Sequence, residues 1–446
     1  APLYVLQPWH QNTLAPWDGW RYFPQLTVPT TVIRGHLDFL FERPQFAQVA
    51  AVTPGAQDVD VGASGHLVML ERRHAVNRVL TRLIEEAGAR SWRHEEDSGP
   101  ATRSALLRER PWLAQYPANV PYTLAIPNLS MPALFAATVR RFARQAAIQY
   151  GDLQLSYQRL EELSNQFANA LRTLGIGQGE RVLFWLPDLP QFVIAYLGVL
   201  KAGAVAVLAP TQNEIDDLAN ILRATAARLV LTTDEHAEWM SQARTQRLVE
   251  QVVLTHPQEL LASARQVGVP QAVGLHHFTR LLAGQSTAPP EIDVKPADLA
   301  AILYTSGTTG AAKGVMLSHR NLVANSLQTL SWLHEANAGK ERFLCALSFA
   351  HSYGLTSTLN LPLTLGATLI LVPGFEVQRL LAAIQRHRPT IFPAVPALFV
   401  AINNVPNVRK YGIESIKYCI SGSAPLPVEV QEEFEKLTKG RLVEGY

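Results

Sequence analysis

Between residues 300 and 321 the chain reads AAILYTSGTTGAAKGVMLSHRN. Thr305, Ser306, Gly307, Thr308, Thr309 and Gly310 form a run of hydroxyls and glycines, and Lys313 and Gly314 follow two alanines later. Glycines let backbone N–H groups come close to an anion, and successive N–H groups form an anion-binding nest. Hydroxyls add donors or metal ligands, and Lys313 adds a mobile positive charge. The apolar run Ala300 to Tyr304 in front of the loop reads as a strand. A Walker A loop is excluded, because the G-x-x-x-x-G-K-[ST] spacing fails and glycine follows the lysine. A flexible surface turn would share this composition. The strand before the loop and the fixed lysine favour a cradle for polyphosphate once the further matches given below are added to them.

His351 stands in the apolar segment SFAHSYGLTSTLNLPLTLG. A lone histidine in such a setting is more often a satisfied core residue than a reacting group. The residues around it could wall an apolar cavity or serve as ordinary core.

Strand and helix signals alternate along the chain to hold these residues. PTTVIRG and QDVDVGASG read as strands, with a helix between them in RPQFAQVAAVTPG. LERRHAVNRVLTRLIEEAG places Val76, Val79, Leu80, Leu83 and Ile84 on one helical face. From Ser91 to about Pro127 the pattern gives way to charged and Pro-punctuated sequence, read as a linker or lead-in. From Asn128 helix-then-strand units resume, as in SYQRLEELSNQFANALRTLGIGQGERVLFWL and DLANILRATAARLVLTT. This rhythm predicts an α/β fold with open parallel sheets. No short-period repeat is present, which excludes a solenoid.

A chain of 446 residues has room for two or three domains. Hydrophobic residues make up 48% and charged residues 17%, which allows large cores and argues against global disorder. Basic and acidic side chains number 39 and 37, a balance that gives no reason to expect nucleic acid as a partner. Cys345 and Cys419 belong to no CxxC or Cys/His cluster, so a reducing cytosol fits better than a disulfide framework. The first residues, APLYVLQPWH, lack a basic-then-apolar signal pattern, and no clean transmembrane span occurs. The expectation is a cytoplasmic protein, with a peripheral place at the membrane left open.

YTSGTTGAAKGVMLSHRNLVAN resembles the phosphate-loop signature of the adenylate-forming enzymes, the superfamily of acyl-CoA synthetases, luciferases and peptide-synthetase adenylation domains. The usual proline before the lysine is Ala312 here. Further segments match in the same order. FAHSYGLT resembles the acyl-site segment, with His351, Tyr353 and Gly354 in its positions. ISGSAPLP resembles the adenine-pocket strand and turn, and RLVEGY the start of the segment whose tyrosine stacks on adenine. Within the superfamily the chain is most similar to bacterial long-chain fatty acyl-CoA ligases. The resemblance implies that a fatty acid carboxylate attacks the α-phosphorus of ATP, and that CoA, or a carrier protein in the related acyl-AMP ligases, then takes the acyl group. It implies nucleotide contacts from Thr305 to Gly310, Lys313, Gly422, Ser423, Ala424, Glu444, Gly445 and Tyr446. It also implies an Mg2+ ligand at Thr305 and roles at the reacting groups for Lys313 and His351.

After Tyr446 the superfamily pattern would bring a Thr-Glu pair, a ribose-binding Asp and a small domain with a late lysine. The expectation is that the chain as given holds part of ATP without completing adenylation, as a fragment or a product cut short. Upstream, residues 28 to 86 resemble the last part of an α/β-hydrolase, with Asp38 matching the acid and His66 the base of its triad. Asp38 would orient the imidazole; the alternative makes it a loop-start residue and His66 an N-cap or surface histidine. No G-x-S-x-G elbow occurs in the sequence. The predicted organisation is thus a partial α/β-hydrolase sheet over residues 1–92, a lead-in over 93–127, and the large N-terminal domain of an adenylate-forming enzyme over 128–446.

Overall fold

The computed structural model describes residues 31–34, 51, 57–60, 79, 111–117, 119–261, 273–305 and 313–445. It divides into two compact units, Ala1–Ala114 and Gln115–Tyr446. In the first, β1 (Thr31–Arg34) and β2 (Gln57–Asp60) pair in parallel, with Thr31 opposite Gln57. Ala51, between these strands, and Val79, after them, are helical.

The second unit opens with packed lead-in sequence. The Tyr116 ring meets Trp332 edge-on at 4.9 Å, Val120 is buried, and Asn119 pairs with His334 at 2.8 Å. The chain then lays down a hairpin of β3 (Ala146–Tyr150) and β4 (Leu153–Ser156). It next builds a separate sheet from β5 (Arg181–Trp185), β6 (Val205–Leu208), β7 (Leu229–Thr233), β8 (Gln251–Thr255), β9 (Leu275–His277), β10 (Leu299–Thr305) and β11 (Lys313–Ser318). It returns to extend the hairpin with β12 (Arg342–Cys345), β13 (Thr368–Leu371), β14 (Ile391–Ala394), β15 (Tyr418–Ser421) and β16 (Arg441–Glu444).

The middle sheet has the order β11-β10-β6-β5-β7-β8-β9, parallel except for β11 against β10. The other has the order β16-β15-β14-β12-β13-β3-β4, parallel except for β4 against β3. Parallel strands are covered on both faces, which is why VAVL and LVLTT read as unbroken apolar or β-branched runs and are buried throughout.

One apolar core joins the two sheets. It contains Phe184 and Leu208 of one, Phe343 and Leu369 of the other, and the helices between them. Helix α1 (Tyr157–Thr173) buries one face, whereas α2 (Pro190–Lys201) is buried at every position, as expected of a helix apolar all round. Lys201 at its end is held by Glu161, Ser164 and Asn165 of α1, with Nζ 2.5, 2.7 and 2.7 Å from their side-chain oxygens. Separate clusters cover the outer face of each sheet. No helix among the described residues is long and apolar enough to cross a membrane.

Candidate active site

Strand β10 ends at Thr305 and β11 begins at Lys313, and these two residues face each other in antiparallel register. The Thr305 hydroxyl donates to the Lys313 carbonyl oxygen at 3.4 Å. Both ends of the glycine-hydroxyl loop are therefore pinned by one hairpin, and Lys313 is exposed at its mouth. Ser306, Gly307, Thr308, Thr309 and Gly310 lie outside the described residues, as do Asp38, His66 and Tyr446. From β11 the chain enters helix α3 (His319–Trp332) through a capping box. Ser318 Oγ accepts from the Asn321 backbone N–H at 3.2 Å, and Asn321 Oδ1 accepts from the Ser318 N–H at 2.9 Å. The cap seats the helix directly at the end of β11.

His351 is exposed and caps the short helix Ser352–Gly354, so it is no satisfied core residue. Its Nδ1 accepts from the Tyr353 backbone N–H at 3.2 Å, which places the proton of the neutral ring on Nε2. The helix continues as a π-helical stretch, Leu355–Asn360, and then Leu361–Leu365. Such wide turns concentrate at functional sites. Gly354 lies where a Cβ would run into the Ser348 carbonyl, so the turn closes only on glycine.

Tyr353 connects this segment to the neighbouring strands. Its hydroxyl donates to the Ile420 carbonyl oxygen at 2.7 Å and lies 3.3 Å from that of Ala394. Burial holds the phenol well above its ordinary pKa, so it remains a donor at any physiological pH. The ring lies over Gly422, where a Cβ would stand 3.1 Å from it.

Strands β14, β15 and β16 end side by side, with Ala394 opposite Ser421 and Ser421 opposite Glu444. The carboxyl ends of parallel strands are where open α/β sheets take ligands. The Gly445 N–H donates to the Ser421 carbonyl oxygen at 2.7 Å, and Glu444 accepts from the Leu426 N–H at 3.2 Å. Ser423 adopts a left-handed conformation at φ 72°, turning the chain sharply after buried Gly422, and Ser423 and Ala424 are exposed. Ser421 Oγ is buried and has no hydrogen-bond partner among the described residues. A turn that opens on a glycine packed against an aromatic ring leaves room for the flat edge of a heteroaromatic base.

The structure thus joins Thr305 to Lys313, and the His351–Tyr353 segment to the Gly422 turn. Two contacts that sequence reasoning missed tie these halves together across the sheets. Thr356 donates from its hydroxyl to Asn325 Oδ1 of α3 at 2.6 Å. Asp188, just past β5, accepts from the Phe349 N–H at 2.9 Å and is buried. The second had a local signal, a lone acid inside the apolar run FWLPDLPQF.

Residues 135–446 match the family described as AMP-binding enzyme. A long-chain-fatty-acid–CoA ligase of Bacillus subtilis is 34% identical over 76% of this chain and 63% of its own length. The 4-coumarate–CoA ligase 1 of Petroselinum crispum is 29% identical over 65% of this chain and 52% of its own. Among solved structures, a benzoate CoA ligase from Burkholderia xenovorans superposes with a TM-score of 0.60 at 26% identity, over 71% of this chain and 60% of that one. The chain spans between about half and just under two thirds of the length of these curated relatives.

Proposed function

The chain belongs to the AMP-binding enzyme family, and from that premise we propose that its protein activates a fatty acid by adenylation and hands the acyl group to CoA. A carboxylate oxygen attacks the α-phosphorus of ATP, and the bond to the leaving pyrophosphate breaks. A thiolate sulfur then attacks the acyl carbonyl, and AMP departs. Negative charge grows on the pyrophosphate, so fixed N–H donors and a cation are needed there in advance. Lys313, exposed at the loop mouth, would supply that cation. Thr305 would hold Mg2+, whose positive charge would offset that of the phosphates. The Nε2–H of His351 would donate to the fatty acid carboxylate, and Tyr353 would keep His351 in register with the adenine turn. Gly422, Ser423 and Ala424 would line the base with backbone, Glu444 would brace that turn through Leu426, and Tyr446 would stack on the base. The remaining glycines and hydroxyls of the loop, from Ser306 to Gly310, would cradle the phosphates.

The observation that carries this reading is the Tyr353 bridge. One side chain ties the histidine segment, proposed to meet the acyl carboxylate, to the turn proposed to meet the base. An acyl-adenylate needs those two groups side by side. The 34% identity to a relative named for long-chain fatty acids supports the choice of acid. Ahead of this unit, the parallel β1–β2 pair is compatible with the α/β-hydrolase-like reading of residues 28 to 86.

Non-hydrolysable acyl-sulfamoyl-adenosines test the proposal directly by calorimetry. The myristoyl compound should bind more tightly than its cinnamoyl and acetyl counterparts. A preference for the cinnamoyl compound would move the substrate to aromatic acids, and no binding of any would remove the adenylation reading. Acyl transfer assays with CoA and with a carrier protein then separate the two acceptors.

A further inference from the structure

Asp188 lies between β5 and α2, in the turn Leu186-Pro187-Asp188, and is 8% exposed. Its carboxyl accepts from the Phe349 N–H at 2.9 Å, and the Phe349 ring meets Phe192 of α2 edge-on at 5.2 Å. Phe349 follows β12, so this contact crosses from one sheet to the other. It grips the strand-to-helix turn two residues before His351. Within that turn the His351 N–H donates to the Ser348 carbonyl oxygen at 3.1 Å, so a displacement at Phe349 passes directly into the histidine. No ion pair of Asp188 occurs among the described residues, and among their titratable groups it is the Cys345 thiol of β12 that senses its charge.

A buried acid with no counter-cation is costly when ionised, whereas a neutral amide would satisfy the same N–H. An acid in that position adds something an amide does not: a hydrogen bond of adjustable strength, because an ionised acceptor binds an N–H more tightly than a neutral one. Burial lifts the Asp188 carboxyl to about 7, within the range where its charge changes in a cell.

We propose that Asp188 is a positioning residue for the acyl-carboxylate site, holding His351 in place through Phe349 and holding it more firmly when ionised. Its consequence for ligand binding rests on the adenylation reading; the Asp188–Phe349 contact itself does not.

The experiment has two arms, run on the full chain and on D188N, which keeps the acceptor and the shape. In the first, the backbone amide of Phe349 is followed by NMR in 15N-phenylalanine-labelled protein, the signal being assigned by its loss in F349L. The wild-type amide should shift with a midpoint near 7 and the D188N amide should not. In the second, affinity for myristoyl-sulfamoyl-adenosine is measured from about pH 6 to about pH 8; it should rise several-fold, up to about tenfold, in wild type and stay flat in D188N. An amide that does not titrate, or titrates equally in both proteins, overturns the proposal. So do identical affinity profiles. Failure of the analogue to bind at all overturns the adenylation reading, and the amide arm then decides on Asp188 alone.

Discussion

The phenolic oxygen of Tyr353 stands 2.7 Å from the carbonyl oxygen of Ile420, and that bond ties the histidine segment to the strand leading into the Gly422 turn. Tyr353→Phe keeps the ring over Gly422 and removes only the donor. A buried hydrogen bond of this kind contributes about 1 kcal/mol net. The expected result is a fall of that size in chemical denaturation, together with weaker binding of the acyl-adenylate analogue and nearly unchanged binding of ATP alone. Equal losses for both ligands would mean that the bond supports the fold and not the register between the two segments.

Gly422→Ala approaches the same contact from the other side. The added methyl would meet the Tyr353 ring at 3.1 Å, closer than carbon atoms normally pack, so either the ring or the turn must shift. Overpacking of this order costs about 1–3 kcal/mol. Here the base is expected to lose its flat seat, so ATP affinity should drop at least tenfold while far-ultraviolet circular dichroism stays unchanged. Wild-type affinity in a folded G422A protein would place the base elsewhere.

Lys313 is exposed, so its removal should leave stability within about 0.5 kcal/mol of wild type. If it offsets charge on the leaving pyrophosphate, Lys313→Ala should slow adenylation by roughly 10²–10³. Lys313→Arg should recover part of the loss, because the charge returns in a different shape. Pyrophosphate exchange measures this, and a K313A rate within threefold of wild type would assign the role to another group.

Much of this architecture was legible in one dimension because its cause is local. Parallel strands buried on both faces must be apolar throughout, and the runs at Val205–Leu208 and Leu229–Thr233 are. The phosphate loop declared itself because its hydroxyls, glycines and lysine are consecutive. The bonds Asp188–Phe349 and Asn325–Thr356 were not legible, since each joins segments that follow strands of different sheets and no local pattern says which sheet end faces which. His351 illustrates the boundary between the two cases. Its neighbours are apolar, as a core position requires, and only the turn closed by Gly354 brings it to the surface.

His319, the first residue of α3, is fully buried, and neither ring nitrogen has a hydrogen-bond partner among the described residues. Burial pushes its imidazole down to about 4, opposed in part by Asp298. In the folded protein the ring therefore stays neutral, while in the unfolded chain it takes up a proton as pH falls below about 6.5. The unfolded state then binds more protons, so stability must fall as the solution is acidified from about 6.5 toward 4 and level off below that. At about 1.4 kcal/mol for each pKa unit, the loss from this one ring is on the order of 3 kcal/mol. Urea titrations at neutral and mildly acidic pH, on wild type and on His319→Gln, separate this ring from every other titrating group. The glutamine variant should be less stable near neutrality and should lose less on acidification. Parallel stability curves for the two proteins would mean that the ring is protonated, or partnered by water, in the folded state.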